Sequence, residues 1–522
     1  MEAGIPIWWI SLLLPLFVGL YGLVDREKGK PLAVLSLIVL LIPGAALFYY
    51  WVSGAVTSAV VDPVKIDLTR HGIGVFYLFV DGLSAPIVAG ISIVTALVAL
   101  YGLKYMSVRI EEMREAGETP PGIGVYYFLY NIFALSMLAM ALSSNLIEFY
   151  FFLEVSLVSS FLLIAYYGYG DRRKISLLYF IWTHVAGALF LAGTLYYGVN
   201  AGSFDIVKIT SNGVTYVSPA YTVLAASTKI AASLIIIGLF IKMAVFGVHM
   251  WLPYAHAEAP TPISALLSPN LIGIAGYALA RFAIPLFPGI FQSLRDYLVI
   301  LALITIIYGG LVALRQTDFK RFLAYSSVSQ MGYLLLGIAT LTSYGIGGAM
   351  LHYLSHAFGK AVLFMTAGVF ITELHGLRDI RKMGGLARAY PLTAAAALLG
   401  FMHLVGMPPT LGMWSEVLIT IGVMKAYSSL SAPGLVALAL ALILAFGVSA
   451  AYAFVTMRRI FYGQLKDYLK ELGVKPGYEV FDYFKAVVLL VAIIGVFYFV
   501  AISPVMASLK PASELVSSLL AG

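Results

Sequence analysis

The runs FIKMAVFGVHMWLP (240–253) and HYLSHAFGKAVLFM (352–365) each set one lysine, Lys242 and Lys360, inside an otherwise apolar stretch. Stretches of this kind place a helix in lipid, where a cation at the bilayer centre costs at least about 2.5–3.5 kcal/mol. Two carboxylates, Glu154 in FFLEVSLV and Glu416 in MWSEVLI, lie in equally apolar surroundings. Buried acids and bases kept together point to a protein that moves charge through its interior.

Working outward, 11% of the residues are charged and 61% are hydrophobic, against about 25% charged in a soluble domain. The composition specifies an all-α polytopic membrane protein and excludes a soluble core of this size. The first apolar run starts at Ile5 with no basic segment before it and no small-residue cleavage site after it, so it reads as a retained helix. There is no cysteine, which excludes disulfides and thiolate ligation of zinc or iron–sulfur clusters within the chain. Asparagine and glutamine number only five and four, a depletion of thermolabile residues that suits a thermophilic source.

About 20 apolar residues cross a bilayer. Dividing the chain at charges, Pro and Gly gives fourteen spans, near 6–24, 32–52, 79–103, 123–142, 145–168, 175–199, 229–250, 262–284, 296–313, 322–341, 347–372, 391–424, 434–457 and 485–503. The twelfth is too long for one straight helix and holds Gly406, Pro408, Pro409 and Gly412, so it is expected to be broken. The seventh is expected to break near Gly247. Of 32 Lys and Arg residues, 22 fall in the loops after spans 1, 3, 5, 9, 11 and 13, and 8 fall in the loops after even-numbered spans and the C-terminal tail. The positive-inside rule then places both termini outside the plasma membrane. The two cations left over are Lys242 and Lys360. The basic residues are scattered through short loops, a pattern of topology and not of nucleic-acid binding, and the hydrophilic loops 104–122 and 458–484 read as solvated connectors that could touch partner subunits.

Several side chains are candidates for charge movement. Glu154 lies deep in span 5, whereas Glu148, six residues earlier, is expected near the wet membrane edge. His352, His356 and Lys360 recur at i, i+4 and i+8, which puts them on one helix face about 6 Å apart in rise. Lys242 precedes a polar segment holding His249 and His256, and Glu416 follows the Pro/Gly break of span 12. Ser326, Ser329 and Gln330 in span 10 could line a hydrated path or simply pack; His184 and His403 carry the same ambiguity. His71 and His375 fall at span edges and carry no assignment.

Together, FYFFLE ending at Glu154, KMAVFGVHMWLPYAHAEAPTPISALL from Lys242, DFKRFLAYSSVSQMGY from Asp318, HAFGKAVLF around Lys360 and GMPPTLGMWSE ending at Glu416 resemble the antiporter-like subunits of complex I and of Mrp-type cation/proton antiporters. Archaeal membrane-bound hydrogenase and sulfane-reductase complexes are the members that fit best. The resemblance implies fourteen helices in four parts: residues 1–122 with helices 1–3, two inverted five-helix repeats at 123–284 and 285–457, and 458–522 with helix 14. It implies Glu154 paired with Lys242, Lys360 as central relay and Glu416 as terminal relay. It also implies partners: other antiporter-like membrane subunits and a hydrophilic redox arm holding the iron–sulfur and metal centres, with no cofactor in this chain. Three features depart from the family pattern. Gly273 stands where the family carries a lysine or histidine, the proline that follows the span 7 lysine is replaced by Ala244 or Gly247, and no long amphipathic helix is expected after span 14.

The resulting expectation is a proton-translocating subunit of a redox-driven complex, itself without a catalytic redox site. Sodium/proton exchange and a non-transporting membrane scaffold are the alternatives.

Overall fold

The computed structural model describes residues 4–57, 59–210, 213–216 and 225–520. Among them, twelve continuous helices are long and apolar enough to cross a membrane. They are α1 (Ile7–Val24), α2 (Gly29–Val52), α3 (Ala85–Glu115), α4 (Ile123–Leu142), α5 (Leu146–Tyr167), α6 (Arg172–Ala201), α9 (Thr261–Leu286), α10 (Pro288–Leu314), α11 (Phe319–Ala339), α12 (Ser343–Glu373), α15 (Ala432–Phe461) and α16 (Tyr483–Val500). Two interrupted pairs, α7 (Ala225–Met243) with α8 (Trp251–Glu258) and α13 (Pro391–Leu404) with α14 (Leu411–Ala426), complete fourteen spans. A further helix, α17 (Ile502–Ser518), follows α16.

Side-chain caps set several of the helix starts. Asn145 accepts from Ile147 N at 2.8 Å to open α5, and Asp318 accepts from Arg321 N at 2.9 Å to open α11. The break after α7 turns on Ala244 at φ +56° and Gly247 at φ +92°. Backbone groups freed there need partners inside the protein: Trp251 Nε1 donates to Ile241 O at 2.9 Å, and Thr305 Oγ1 accepts from Phe246 N at 3.3 Å. At the second break Gly406 takes φ +63°, and Gln330 Nε2 donates to Leu404 O at 3.0 Å.

The bundle is centred on α9, α11 and α12, which are buried along almost their whole length, while α15 and α6 lie outermost. α12 packs against α3, α11, α13, α14, α16 and α17. α9 is not a regular helix. It contains two π-turns, at Leu267–Leu271 and Leu279–Ala283, an irregularity that loosens local backbone pairing and recurs at functional sites.

The structure differs from the sequence reading at three places. Residues assigned to the start of span 3 form a strand, β2 (Val75–Val80), paired antiparallel with β1 (Val60–Asp67); α3 therefore begins only at Ala85. A second hairpin joins β3 (Val207–Thr210) to β4 (Gly213–Tyr216). Both hairpins follow even-numbered spans, opposite the basic face. After span 14 there is an amphipathic helix: α17 buries Val505, Ser508, Leu509, Ser513 and Val516 while Lys510 and Glu514 stay exposed. Trp51 Nε1 donates to Ser508 Oγ at 3.0 Å and ties α17 to α2.

Candidate functional site

The buried charge inventory is larger than the loop count suggests. Lys242 and Lys360 are buried, as expected, but Lys320, Arg281 and Lys485, all counted among loop cations, are buried too. Two of these three have carboxylate partners. Arg281 Nη1 donates to Asp81 Oδ2 at 2.8 Å, and its Nη2 also reaches Asp81, tying α9 to the turn before α3. Lys485 meets Glu373 at 2.5 Å, and Lys104 meets Glu373 at 3.2 Å and Asp482 at 2.6 Å, so four charges join α3, α12 and α16 at the basic face. Lys320 has no carboxylate within ion-pair distance among the described residues. Its Nζ donates to Ala259 O, just past the end of α8, and stands 5.8 Å from the Tyr169 ring centre.

Around α12 the groups converge. Lys360 Nζ donates to Leu323 O at 2.9 Å and to Ser326 Oγ, both on α11. His356, one turn away, is also buried, with both ring nitrogens free of close hydrogen bonds among the described residues. His352 Nδ1 lies 3.3 Å from Ser415 Oγ, next to Glu416, and its ring stacks on Tyr333 at 5.4 Å. His256 on α8 stacks on Phe364 of α12 at 5.1 Å and likewise has both nitrogens unpaired. His403 Nδ1 lies 2.9 Å from Ser355 Oγ on the neighbouring turn of α12. His352 thus faces α11 and α14, and Lys360 faces α11.

At the two ends the geometry is different. Glu154 Oε2 meets His184 Nδ1 at 3.0 Å, and the His184 side chain is 50% exposed on the outer flank of α6. Lys242 is buried behind them with no hydrogen-bonding partner among the described residues. The direct Glu154–Lys242 pair is therefore not closed: the carboxylate bonds His184 and acts on Lys242 through space. Glu416 packs its carboxylate against Gly406 at the second break, so that a side chain at 406 would collide with it, and its Oε1 is unpaired. His249 packs its ring at 5.1 Å from Tyr308.

Other expected residues take plainer roles. Ser329 Oγ donates to Ile306 O at 2.8 Å and is turned toward α10, which makes it a packing contact. Gln330 Nε2 bridges Leu404 O and Tyr452 OH, at 3.0 and 2.9 Å, and supports the α13 end. Glu148 is buried, not wet: it accepts from Ser144 N at 3.1 Å in the first turn of α5. Among the described residues no group of three His, Asp or Glu stands ready to hold a metal ion.

Between Lys242 and Lys360 lies α9. At Gly273 a side chain would stand 2.5 and 2.7 Å from ring atoms of Tyr353, whose hydroxyl donates to Asn270 O at 3.1 Å. The tyrosine occupies the space a longer residue would fill. Ser268 and Ser327 are bonded at 2.6 Å, and both amide atoms of the buried Asn270 are unpaired. These polar groups lie along the part of α9 that carries its first π-turn, Leu267–Leu271. Gly273→Ala is expected to cost about 1–3 kcal/mol through overpacking, read as a lower temperature for loss of the subunit from the purified complex.

Sequence reasoning missed Lys320 and Asn270. For Lys320 a signal exists: with Asp318 as cap, Lys320, Leu323 and Ser327 fall on one helical face at i, i+3 and i+7, and that face is buried.

Comparison with known proteins places these features in a wider set. A family profile described as NADH:quinone oxidoreductase/Mrp antiporter, transmembrane, matches residues 143–441. The NADH-quinone oxidoreductase subunit M of Rickettsia prowazekii is 30% identical over 426 residues, covering 81% of this chain and 82% of that protein. The F(420)H(2) dehydrogenase subunit M of Methanosarcina mazei is 29% identical over 527 residues, covering 99% of each. Among solved structures, a chain of respiratory complex I from Thermus thermophilus superposes with a TM-score of 0.81 at 25% identity, covering 99% of this chain and 100% of that one.

Proposed function

The chain belongs to the NADH:quinone oxidoreductase/Mrp antiporter family as an antiporter-like membrane subunit, and from that premise we propose that it translocates protons within a redox-driven respiratory complex. One observation carries the reading: His352, His356 and Lys360 form a buried titratable face at the centre of the bundle, flanked by Lys242 at one helix break and Glu416 at the other. A scaffold has no use for such desolvated charges.

In this reading the basic face is cytoplasmic, both termini lie on the outer side of the cell membrane, and residues 123–284 and 285–457 act as two inverted repeats. A charge change in a neighbouring membrane subunit perturbs the Glu154–His184 pair on the exposed flank. The altered field changes the proton affinity of Lys242. The proton passes by way of the polar stretch of α9 to Lys360 and its histidines, and leaves at Glu416. Neighbouring membrane subunits and a hydrophilic arm complete the complex. The relatives' names carry different electron donors, NADH and F(420)H(2), which supports donor chemistry, with its iron–sulfur and metal centres, residing in those partners.

The test is proton uptake by inverted membrane vesicles containing the whole complex. Lys242→Met is expected to abolish uptake driven by the complex's own electron donor while the complex still assembles. Unchanged uptake would overturn the reading and favour a scaffold; uptake that requires Na⁺ would reassign the chain to sodium/proton exchange.

A further inference from the structure

Lys320 is a buried cation that the relay described above does not use. It is 0% exposed and has no carboxylate within ion-pair distance among the described residues; its ammonium group is held by one backbone carbonyl, that of Ala259. It nevertheless lies in the first turn of α11, close to solvent. The next residue out is Asp318, which pairs with Arg378 at 2.8 Å, and both line a cavity of about 500 Å³ open on the basic face together with Arg321 and Asp379. The segment 378–380 closes over the helix start: Phe319 N donates to Arg378 O at 2.9 Å and Ile380 N to Thr317 O at 2.7 Å. On its inner side lies His256, three residues before the Ala259 carbonyl that holds Lys320 and stacked on Phe364, one turn of α12 from Lys360; neither of its ring nitrogens is hydrogen-bonded among the described residues. The charged groups facing Lys320 are Asp318 and Arg378 from above, Glu258 at the end of α8, and Arg109 from α3.

We propose that Lys320 is the group that takes up protons from the basic-face cavity and hands them through His256 to Lys360. This rests on the proton-translocating reading and adds a second supply to it, one that does not cross α9; both supplies are filled in each cycle, so blocking either one stalls uptake. The neutral amine of Lys320 accepts a proton from cavity water beside Asp318. The ammonium then gives that proton to His256, and the imidazolium of His256 gives it to the amine of Lys360, restoring the neutral imidazole. Lysine suits the post because it exchanges its proton when desolvated, whereas arginine stays charged.

The competing role is a fixed cap on the Ala259 carbonyl, and the test separates the two. In vesicles holding the whole complex, proton uptake and electron transfer are measured per assembled complex for Lys320→Arg, which keeps charge and donor, and Lys320→Gln, which keeps only the donor. The expected result for both is electron transfer retained with proton uptake lowered about a hundredfold or more, the scale of a lost proton-transfer group. Wild-type uptake in either variant would overturn the proposal. Should neither assemble, Asp318→Asn decides, because asparagine still caps α11 while removing the charge at the mouth: uptake slowed several-fold supports the proposal and an unchanged rate overturns it. If Lys242→Met also leaves uptake untouched, the parent reading has failed; if Lys242→Met abolishes uptake and the Lys320 variants do not, only this inference has.

Discussion

Lys360→Met is expected to lower proton uptake by the assembled complex by about a hundredfold or more without lowering its thermal stability. The side chain is 0% exposed, and its ammonium is balanced by a carbonyl and a hydroxyl instead of a carboxylate. Removing a buried charge that no counter-charge accompanies strands nothing. Leu323 O still accepts from Ser326 Oγ at 3.0 Å and Ser327 Oγ at 2.8 Å, so no acceptor is orphaned. Methionine fills a similar volume and packs without desolvation cost. The check is paired: proton uptake in vesicles, and the temperature at which the purified complex loses the subunit. Loss of stability alongside uptake would mean that Lys360 holds the core together and carries nothing.

Asp81→Asn is expected to do the opposite. The change is nearly isosteric and leaves an acceptor for Leu83 N and Ser84 N, each at 3.0 Å, but it strips the counter-charge from fully buried Arg281. Breaking a buried pair from one side costs about 3–5 kcal/mol. Such a loss would cut the amount of assembled subunit sharply while uptake per surviving complex stays near wild type, because the pair takes no part in the proposed relay. Adding Arg281→Met to Asp81→Asn is expected to recover much of the lost stability, since an apolar replacement of both partners leaves no stranded charge. Denaturation of the purified complex, read for the single and double variants, gives the comparison.

Most of the architecture could be read from the residues because lipid imposes simple demands. An uninterrupted apolar stretch must be a helix, and a run of basic loops must share a face. Lys242 and Lys360 are visible for the same reason: apolar neighbours flank them on both sides. Lys320 is hidden by its neighbours Asp318 and Arg321, which make DFKR look like an exposed loop; its burial comes from Ala259 and from segment 378–380 folding over it. The hairpin at β2 is hidden because VFYLFV is as apolar as the helix it precedes, and period-two alternation vanishes where both faces are covered. The partner of Glu154 depends on which residue of α6 turns toward it, and helical spacing within one segment says nothing about contacts between segments.

The Trp251 strap across the first break, and the contacts at the second, have an electrical consequence. A helix that stops inside the membrane leaves unpaired carbonyls, the equivalent of about half a negative charge at its C-terminal end. Each such end meets a side chain able to carry positive charge. Lys242 lies in the last turn of α7 and His403 in the last turn of α13. The broken helices thereby act as built-in partial counter-ions, each worth up to about 2 kcal/mol in a partly buried setting. Half a charge is too little to trap a proton and enough to make its visit tolerable, so a bundle built this way can pass protons between sites without a full ionic partner at each one.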